Sequence, residues 1–284
     1  MNLAQAELYD GKTINYFPQQ NNKIGEGAEK EFFLTENDNL VIGFYKGLDA
    51  STSQERLRRL TDIVEKYNPV PAPQSDQLDV QYFCWPVSIA VSPRLGIVTP
   101  KLPSQFYFEK LKSEKKSTWF LKPRLIQKLP PEDRGVWLDK FQICRHLCQS
   151  FGKLHAAGLA HSDLSGNNIL MDPSTGSTML LDIDSLVVPG ILPPRVLGTD
   201  QYMAPEIVAT YELPIHHPLK RLPCIKTDLH SLAVLIYETL LMRHPLIGGK
   251  IHSKNDPDED DKLMLGKRAL FIENPDDTSN RVIL

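Results

Sequence analysis

An aspartate and an asparagine five residues apart, Asp163 and Asn168, constrain this chain more than any other pair. They sit in His161-Ser162-Asp163-Leu164-Ser165-Gly166-Asn167-Asn168, just ahead of the short apolar run Ile169-Leu170-Met171. A loop that holds a carboxylate and a carboxamide at this spacing has a defined chemistry open to it. Asp163 would orient a hydroxyl nucleophile, and Asn168 would hold Mg²⁺ through its oxygen. In isolation a plain turn explains the same residues equally well, because Asp and Asn side chains bind their own backbone. The segments around the loop decide between the two.

Upstream, residues 1–103 are strand-rich. Phe32-Phe33-Leu34 and Leu40-Val41-Ile42-Gly43-Phe44-Tyr45 flank the polar reversal Glu36–Asn39 and predict a hairpin. Ahead of it, Gly25-Glu26-Gly27 would let backbone N–H groups approach phosphate oxygens, although an ordinary hairpin turn has the same composition. Leu57, Leu60, Ile63 and Val64 recur at helical spacing and predict a helix over 53–67, capped by Ser53. Further strands are expected over 80–86 and 96–99, with Pro100-Lys101-Leu102-Pro103 as a stiff linker. Residues 104–136 read as an insertion in which 112–116 form a solvated basic run. From Val136 the pattern turns helical, with Trp137, Phe141, Cys144, Cys148, Phe151 and His155 as one stripe and Gly158 closing it. Ile169–Met171 and Met179–Leu181 predict a second hairpin delivering Asp182-Ile183-Asp184. Gly198-Thr199-Asp200-Gln201-Tyr202-Met203-Ala204-Pro205-Glu206 and an apolar helix from Thr227 follow.

Composition excludes several classes. A net charge of −3 argues against a nucleic-acid-binding field, and no apolar run reaches the length of a bilayer span. The N-terminus lacks the basic and apolar segments of a signal peptide. Four scattered cysteines suit a reducing, cytoplasmic setting; Cys144 and Cys148 have helical spacing for zinc, but no second ligand pair follows and buried packing is the favoured account. The acidic run 255–261 reads as a solvated loop.

Taken in order, these motifs resemble a eukaryotic-like (Hanks-type) serine/threonine protein kinase. The resemblance implies an α+β, bilobal protein-kinase-like fold, with a small β-rich N-lobe over 1–103 and a larger helical C-lobe over 104–284. It implies ATP and Mg²⁺ as cofactors, a protein substrate, and transfer of the γ-phosphoryl group to Ser/Thr hydroxyls. Asp163 would then be the catalytic carboxylate, with Asn168 and Asp182 as the metal ligands. The backbone of Gly25, Glu26 and Gly27 would cover the phosphates. Val41, Lys101, Leu102 and Leu170 would line the nucleotide, Leu170 as the floor of the adenine slot. Glu206 would pair with Arg281, and Asp228 would brace the catalytic loop. Tyr9-Asp10-Gly11, Phe271–Pro275 and Asp277–Arg281 resemble the bacterial kinases encoded near tellurite-resistance genes. The chain ends soon after Arg281, which implies further domains beyond residue 284.

The resemblance breaks where the family carries a strand lysine, because alignment puts Gly43 there. Lys30 stands where the phosphate loop has its third glycine, a pairing of changes similar to the with-no-lysine kinases, in which a loop lysine reaches the same phosphates. Lys46 is the rival, and its odd-numbered offset from Gly43 would put it on the opposite strand face. Glu55, or alternatively Glu65, would be the helix carboxylate that partners the cation. Ser162 replaces the arginine that reads a phosphorylated activation loop, and 186–198 contains no Ser, Thr or Tyr, so activity is expected without such phosphorylation. Two other readings stay open: a pseudokinase acting as a nucleotide-binding scaffold, and a small-molecule kinase sharing the Asp-x4-Asn loop, against which Gly198–Glu206 argues.

Overall fold

The N-terminal chain consists of short alternating runs joined by tight turns, and each run becomes a strand. In the computed structural model, which describes residues 3–19, 23–26, 29–70, 82–182, 185–194 and 197–282, β1 (Ala4–Leu8) and β2 (Thr13–Tyr16) form a hairpin. β3 (Lys23–Glu26), β4 (Lys30–Leu34), β5 (Leu40–Tyr45), β6 (Ser88–Ser92) and β7 (Gly96–Pro100) join them in one antiparallel sheet of order β2-β1-β6-β7-β5-β4-β3. Ile42 and Phe44 pack on Tyr16, Phe33 and Val98, with the Tyr16 and Phe44 rings edge to face at 5.1 Å.

The strand expected over 80–86 starts later. Residues 80 and 81 lie outside the described residues, and Pro86, which has no N–H to give to a ladder, precedes the first paired strand at Ser88. Phe83 makes a single β-bridge, and it and Trp85 are buried.

Helix α1 (Ala50–Thr61) begins three residues ahead of expectation. Asp49 is its cap, accepting from Thr52 N at 2.8 Å while its own N–H donates to the Thr52 hydroxyl at 3.1 Å. A π turn, Asp62–Lys66, continues it. Leu60 and Ile63 face inward as the spacing predicts, and so do Arg56 and Arg59.

The chain divides into two compact units, Met1–Ser104 and Gln105–Leu284. The second opens on short helices α2 (Thr118–Leu121) and α3 (Pro123–Ile126), then α4 (Trp137–Ala156), β8 (Ala160–His161), β9 (Ile169–Asp172), β10 (Ser177–Leu180) and β11 (Leu186–Val187). α5 (Pro205–Val208), α6 (Ile225–Leu241) and α7 (Pro257–Leu265) complete it. β9 pairs with β10 and β8 with β11.

Three expectations for this unit are corrected. The α4 stripe is rotated in part: Cys144 and Phe151 of the expected set are buried, together with Ile143, Leu147 and Leu154, whereas Trp137 and Phe141 are about half exposed and Cys148 is exposed. Both sets recur at helical spacing, so periodicity alone cannot choose between adjacent faces. The basic run 112–116 is not wholly solvated, because Lys115 is buried and pairs with Asp172 at 2.7 Å. The acidic run is not a loop. Asp256 caps α7 by accepting from Glu259 N, Pro257 takes the first turn, and Asp258, Glu259 and Asp260 lie at the helix end that favours negative charge.

Candidate active site

The loop between β8 and β9 is closed by its own asparagine. Asn168 Nδ2 donates to the Asp163 carbonyl at 2.8 Å and to the Asp163 carboxylate at 3.2 Å. The Thr199 hydroxyl donates to the other Asp163 carboxylate oxygen at 2.7 Å. With its amide nitrogen engaged on Asp163, Asn168 turns its carbonyl oxygen to other use. The loop is also anchored from α6, where the Asp228 carboxylate accepts from His161 N at 2.7 Å and from His155 Nε2 at 3.0 Å. Burial raises the Asp228 carboxyl above its ordinary value against the pull of both bonds.

The hairpin β9–β10 delivers Asp182. Leu181 N donates to Asn168 O at 2.8 Å, so the metal-ligand candidates come from adjoining backbone. Asp182 adopts a left-handed φ of +56°, a conformation that a non-glycine residue holds only when its surroundings fix it. The Ser185 hydroxyl donates to its carboxylate at 2.8 Å. Ser185 is held in turn by Ser162, whose N–H and hydroxyl donate to its carbonyl at 2.7 and 2.8 Å. Where the resemblance expects an arginine, a serine thus ties the catalytic loop to the segment after Asp182. Gly198 completes the contact: its φ is +118°, and a Cβ would stand 2.7 Å from the Ser162 carbonyl. Asp182 and Asn168 together offer hard oxygen donors that suit Mg²⁺, which takes few protein ligands and completes its shell with phosphate and water.

In the first unit, Gly25 and Glu26 lie in β3, opposite Phe32 and Glu31, and Gly27 lies outside the described residues. Gly43 faces Phe32 across β4–β5, and a Cβ there would meet the Phe32 ring at 2.5 Å. The ring fills the place of a side chain. Lys30 pairs with Tyr45 two residues along on both strands, so it shares the sheet face of Gly43. It is 8% exposed, with its ammonium 5.0 Å from the Tyr45 ring centroid. Lys46 follows the end of β5 and is half-buried.

Glu55 is exposed on α1, as is Glu65 beyond it. The charged side chains that α1 turns inward are Arg56 and Arg59; Arg56, 4% exposed, pairs with Glu29 at 2.7 Å and lies 4.2 Å over the Tyr45 ring. Sequence reasoning missed it, although an arginine on the apolar face of an amphipathic helix, in line with Leu60 and Ile63, was the signal. Val41 is buried opposite Thr99. Lys101 N donates to Asn39 O, extending the β5–β7 ladder, so that N–H is engaged within the sheet; Leu102 is half-buried. Leu170, expected as the floor of the adenine slot, is fully buried and bridged to Lys116.

Glu206 and Arg281 are both exposed, and no ion pair joins them. The buried carboxylate of this region is Glu238, which accepts from Tyr202 Oη at 2.7 Å and faces Lys122 at 3.5 Å. Asn280, not Arg281, ties down the C-terminal segment, through the Leu246 and Leu270 carbonyls.

Comparison with known proteins gives the family and the fold. The protein kinase domain family matches residues 135–283, more than half of the chain. The chain belongs to that family. Serine/threonine-protein kinase PknD of Chlamydia pneumoniae is 28% identical over 159 residues, which is 48% of this chain and 15% of that protein. Serine/threonine-protein kinase SKS1 of Saccharomyces cerevisiae is 27% identical over 131 residues, 44% of this chain and 25% of that protein. The aligned stretch thus spans at most a quarter of these relatives' length. Among solved structures, a Toxoplasma gondii rhoptry antigen kinase domain superposes with a TM-score of 0.61 at 13% identity, over 96% of this chain and 84% of the other. A second rhoptry kinase from Toxoplasma gondii gives 0.54 at 16% identity, over 96% and 81%. At such identities the likeness speaks for the fold, which is the α+β protein-kinase fold. No helix among the described residues is long and apolar enough to cross a membrane.

Proposed function

We propose that the chain is an ATP- and Mg²⁺-dependent kinase that transfers the γ-phosphoryl group to Ser or Thr hydroxyls of a protein substrate in the cytoplasm. The observation that carries this reading is the bonded set Asp163, Asn168 and Thr199, with Asp182 held beside it by Ser185. In this reading Asp163, oriented by Thr199 and Asn168, accepts the proton of the substrate hydroxyl as it attacks in line. Asn168 and Asp182 would hold Mg²⁺, which would supply positive charge to offset the phosphate charge that repels the nucleophile. Lys30 supplies the phosphate cation. Its support is geometric, since it shares the sheet face of Gly43, whereas Lys46 has the parity of Phe44 and Ile42, the core face. Arg56, paired with Glu29, takes the place on α1 that Glu55 was expected to hold. Leu102 offers the backbone contact to adenine. Direct serine contacts in place of an arginine support activity without activation-loop phosphorylation. The turn at Tyr9–Gly11 and the segment anchored by Asn280 are the features that support membership in the tellurite-resistance-associated subset.

The test is Mg²⁺-dependent transfer from labelled ATP to a generic protein substrate, with wild type beside Lys30→Met, Lys46→Met and Asp182→Asn. Lys30→Met and Asp182→Asn are expected to lose about 10²–10³-fold or more, and Lys46→Met little. The reverse lysine pattern would move the cation to Lys46. The Phe32 ring packed over Gly43 favours one second reading, a pseudokinase scaffold. Folded wild type that transfers nothing, while Asp163→Asn leaves the biological effect intact, would establish it.

A further inference from the structure

Beyond Thr199, a cavity of about 570 Å³ opens between the 200–203 segment, the turn after α5, the residue Ile247 and helix α7. That size falls among pockets that enclose a ligand, about 300–1,000 Å³. Its floor is apolar, formed by Met203, Ile247 and Leu265, of which Met203 and Leu265 are buried. Its rim is acidic. Glu212 and Lys262 cancel one another as an ion pair at 2.9 Å, a bond that also links two of the walls. Asp200, Asp258 and Asp261 remain, exposed, and no cation among the described residues pairs with them.

Three exposed carboxylates outside any ion pair, of which Asp258 also feels the Lys262 charge, surround an apolar floor and complement one kind of side-chain pair, a cation next to a large apolar group. Backbone continuity says where such a pair would lie. Asp200 directly follows Thr199, whose hydroxyl holds the Asp163 carboxylate. A chain presenting a hydroxyl at Asp163 therefore passes within a few residues of the rim. We infer that this groove selects the substrate: it takes a segment of the protein substrate in which an arginine or lysine stands beside a large apolar residue, close in sequence to the phosphorylated hydroxyl. The cation meets Asp200, Asp258 and Asp261, and the apolar side chain seats on Met203 and Leu265. This deepens the kinase reading above and rests on it.

The acidic run has a second role in this view. Its first-turn carboxylates stabilise the N-terminus of α7, and two of the run's aspartates also face the groove. Charge selection by exposed carboxylates is screened by salt, which gives the proposal its own signature.

The experiment measures binding of short fluorescent serine peptides by anisotropy, without nucleotide, at low and high salt. One peptide carries arginine beside leucine near the serine, a second has glutamate for arginine, and a third has serine for leucine. Wild type is compared with the Asp258→Asn/Asp261→Asn pair and with Asp200→Asn, which lies outside α7 and leaves its cap untouched. Wild type should prefer the first peptide, lose that preference at high salt, and bind it roughly fivefold more weakly in either variant. Equal binding of the basic and acidic peptides, or unchanged binding in both variants, overturns the proposal. Parallel phosphate transfer separates the two readings. Selective binding without transfer leaves the groove standing and removes the kinase reading. Transfer that is indifferent to arginine and to the three aspartates does the reverse.

Discussion

Gly43 shows how a neighbouring side chain can take up the space beside a glycine. The family-like strand position is glycine, and the space is closed by the Phe32 ring from the neighbouring strand. The missing lysine is therefore a packing arrangement as well as a lost charge. Gly43→Ala is expected to destabilise the protein by about 1–3 kcal/mol, as overpacking does. Combined with Phe32→Ala it should cost less than the sum of the two single changes, because losing the ring removes the clash that the added Cβ meets and that Cβ fills part of the cavity the ring leaves. Denaturant unfolding of wild type, both single variants and the double gives the coupling directly, and additive values would show that Phe32 does not occupy that space. Arg56 is the counterpart at this scale. Its burial against Tyr45 puts a fixed cation on α1, so the helix faces this region with the opposite sign from the expected glutamate.

At the scale of elements, the 105–136 stretch is bound to the hairpin after the Asp163 loop rather than lying loosely over it. The Lys115 carbonyl and the Ser117 N–H extend the β9 edge, with Met171 N donating to Lys115 O and Ser117 N to Ile169 O, while Lys115 N donates to Phe106 O. The Lys115–Asp172 pair then fixes the side chains. Burial alone would raise the Asp172 carboxyl, but hydrogen bonds from Lys115, Thr175 and Ser174 outweigh it and hold it below its ordinary value. Lys115→Met should cost about 3–5 kcal/mol, because it leaves a buried carboxylate without its cation. A carboxyl lowered by folding contributes stability above its unfolded pKa, near 3.8, and loses it as pH falls through the lower folded value. The stability gap between wild type and Lys115→Met should therefore be constant near neutrality and narrow in acid. A gap that is unchanged down to strong acid would remove the pair from the account. Helix α7 teaches a related lesson, since its acidic residues read as a loop only when their position at a helix N-terminus is ignored.

At the scale of the whole molecule, acid sensitivity collects in the second unit. Burial lowers the pKa of His146, His230 and His244 below the ordinary 6.5, with Arg145 adding to the effect at His146. Histidines depressed by folding are protonated first in the unfolded chain, so their contribution is complete above about 6.5 and declines as pH falls toward the folded values. Unfolding midpoints should hold level from about pH 7.5 to 6.5, the unperturbed histidine range, and fall from there toward about pH 5.5. Replacing His244, whose Nε2 faces the Gln201 carbonyl at 2.7 Å, with Gln should flatten part of that fall. A flat profile in wild type would show that these groups are solvated.

The sequence by itself determined the family and the order of its parts. Asp163, Asn168, Asp182 and Gly198–Glu206 are local in the chain, and hairpins such as β4–β5 and β9–β10 are written in apolar runs around short polar turns. These features depend on residues near one another, so spacing and turn chemistry suffice to read them. What only the tertiary structure decided are the choices between equivalent local patterns: which face of α4 is buried, that Lys115 and Arg56 go inside, and that Glu206 stays outside while Glu238 takes the buried place. Each of these turns on a partner distant in the chain, Asp172, Glu29 or Tyr202. Burial of a charge is favourable only when such a partner is already in position, and no local pattern records that.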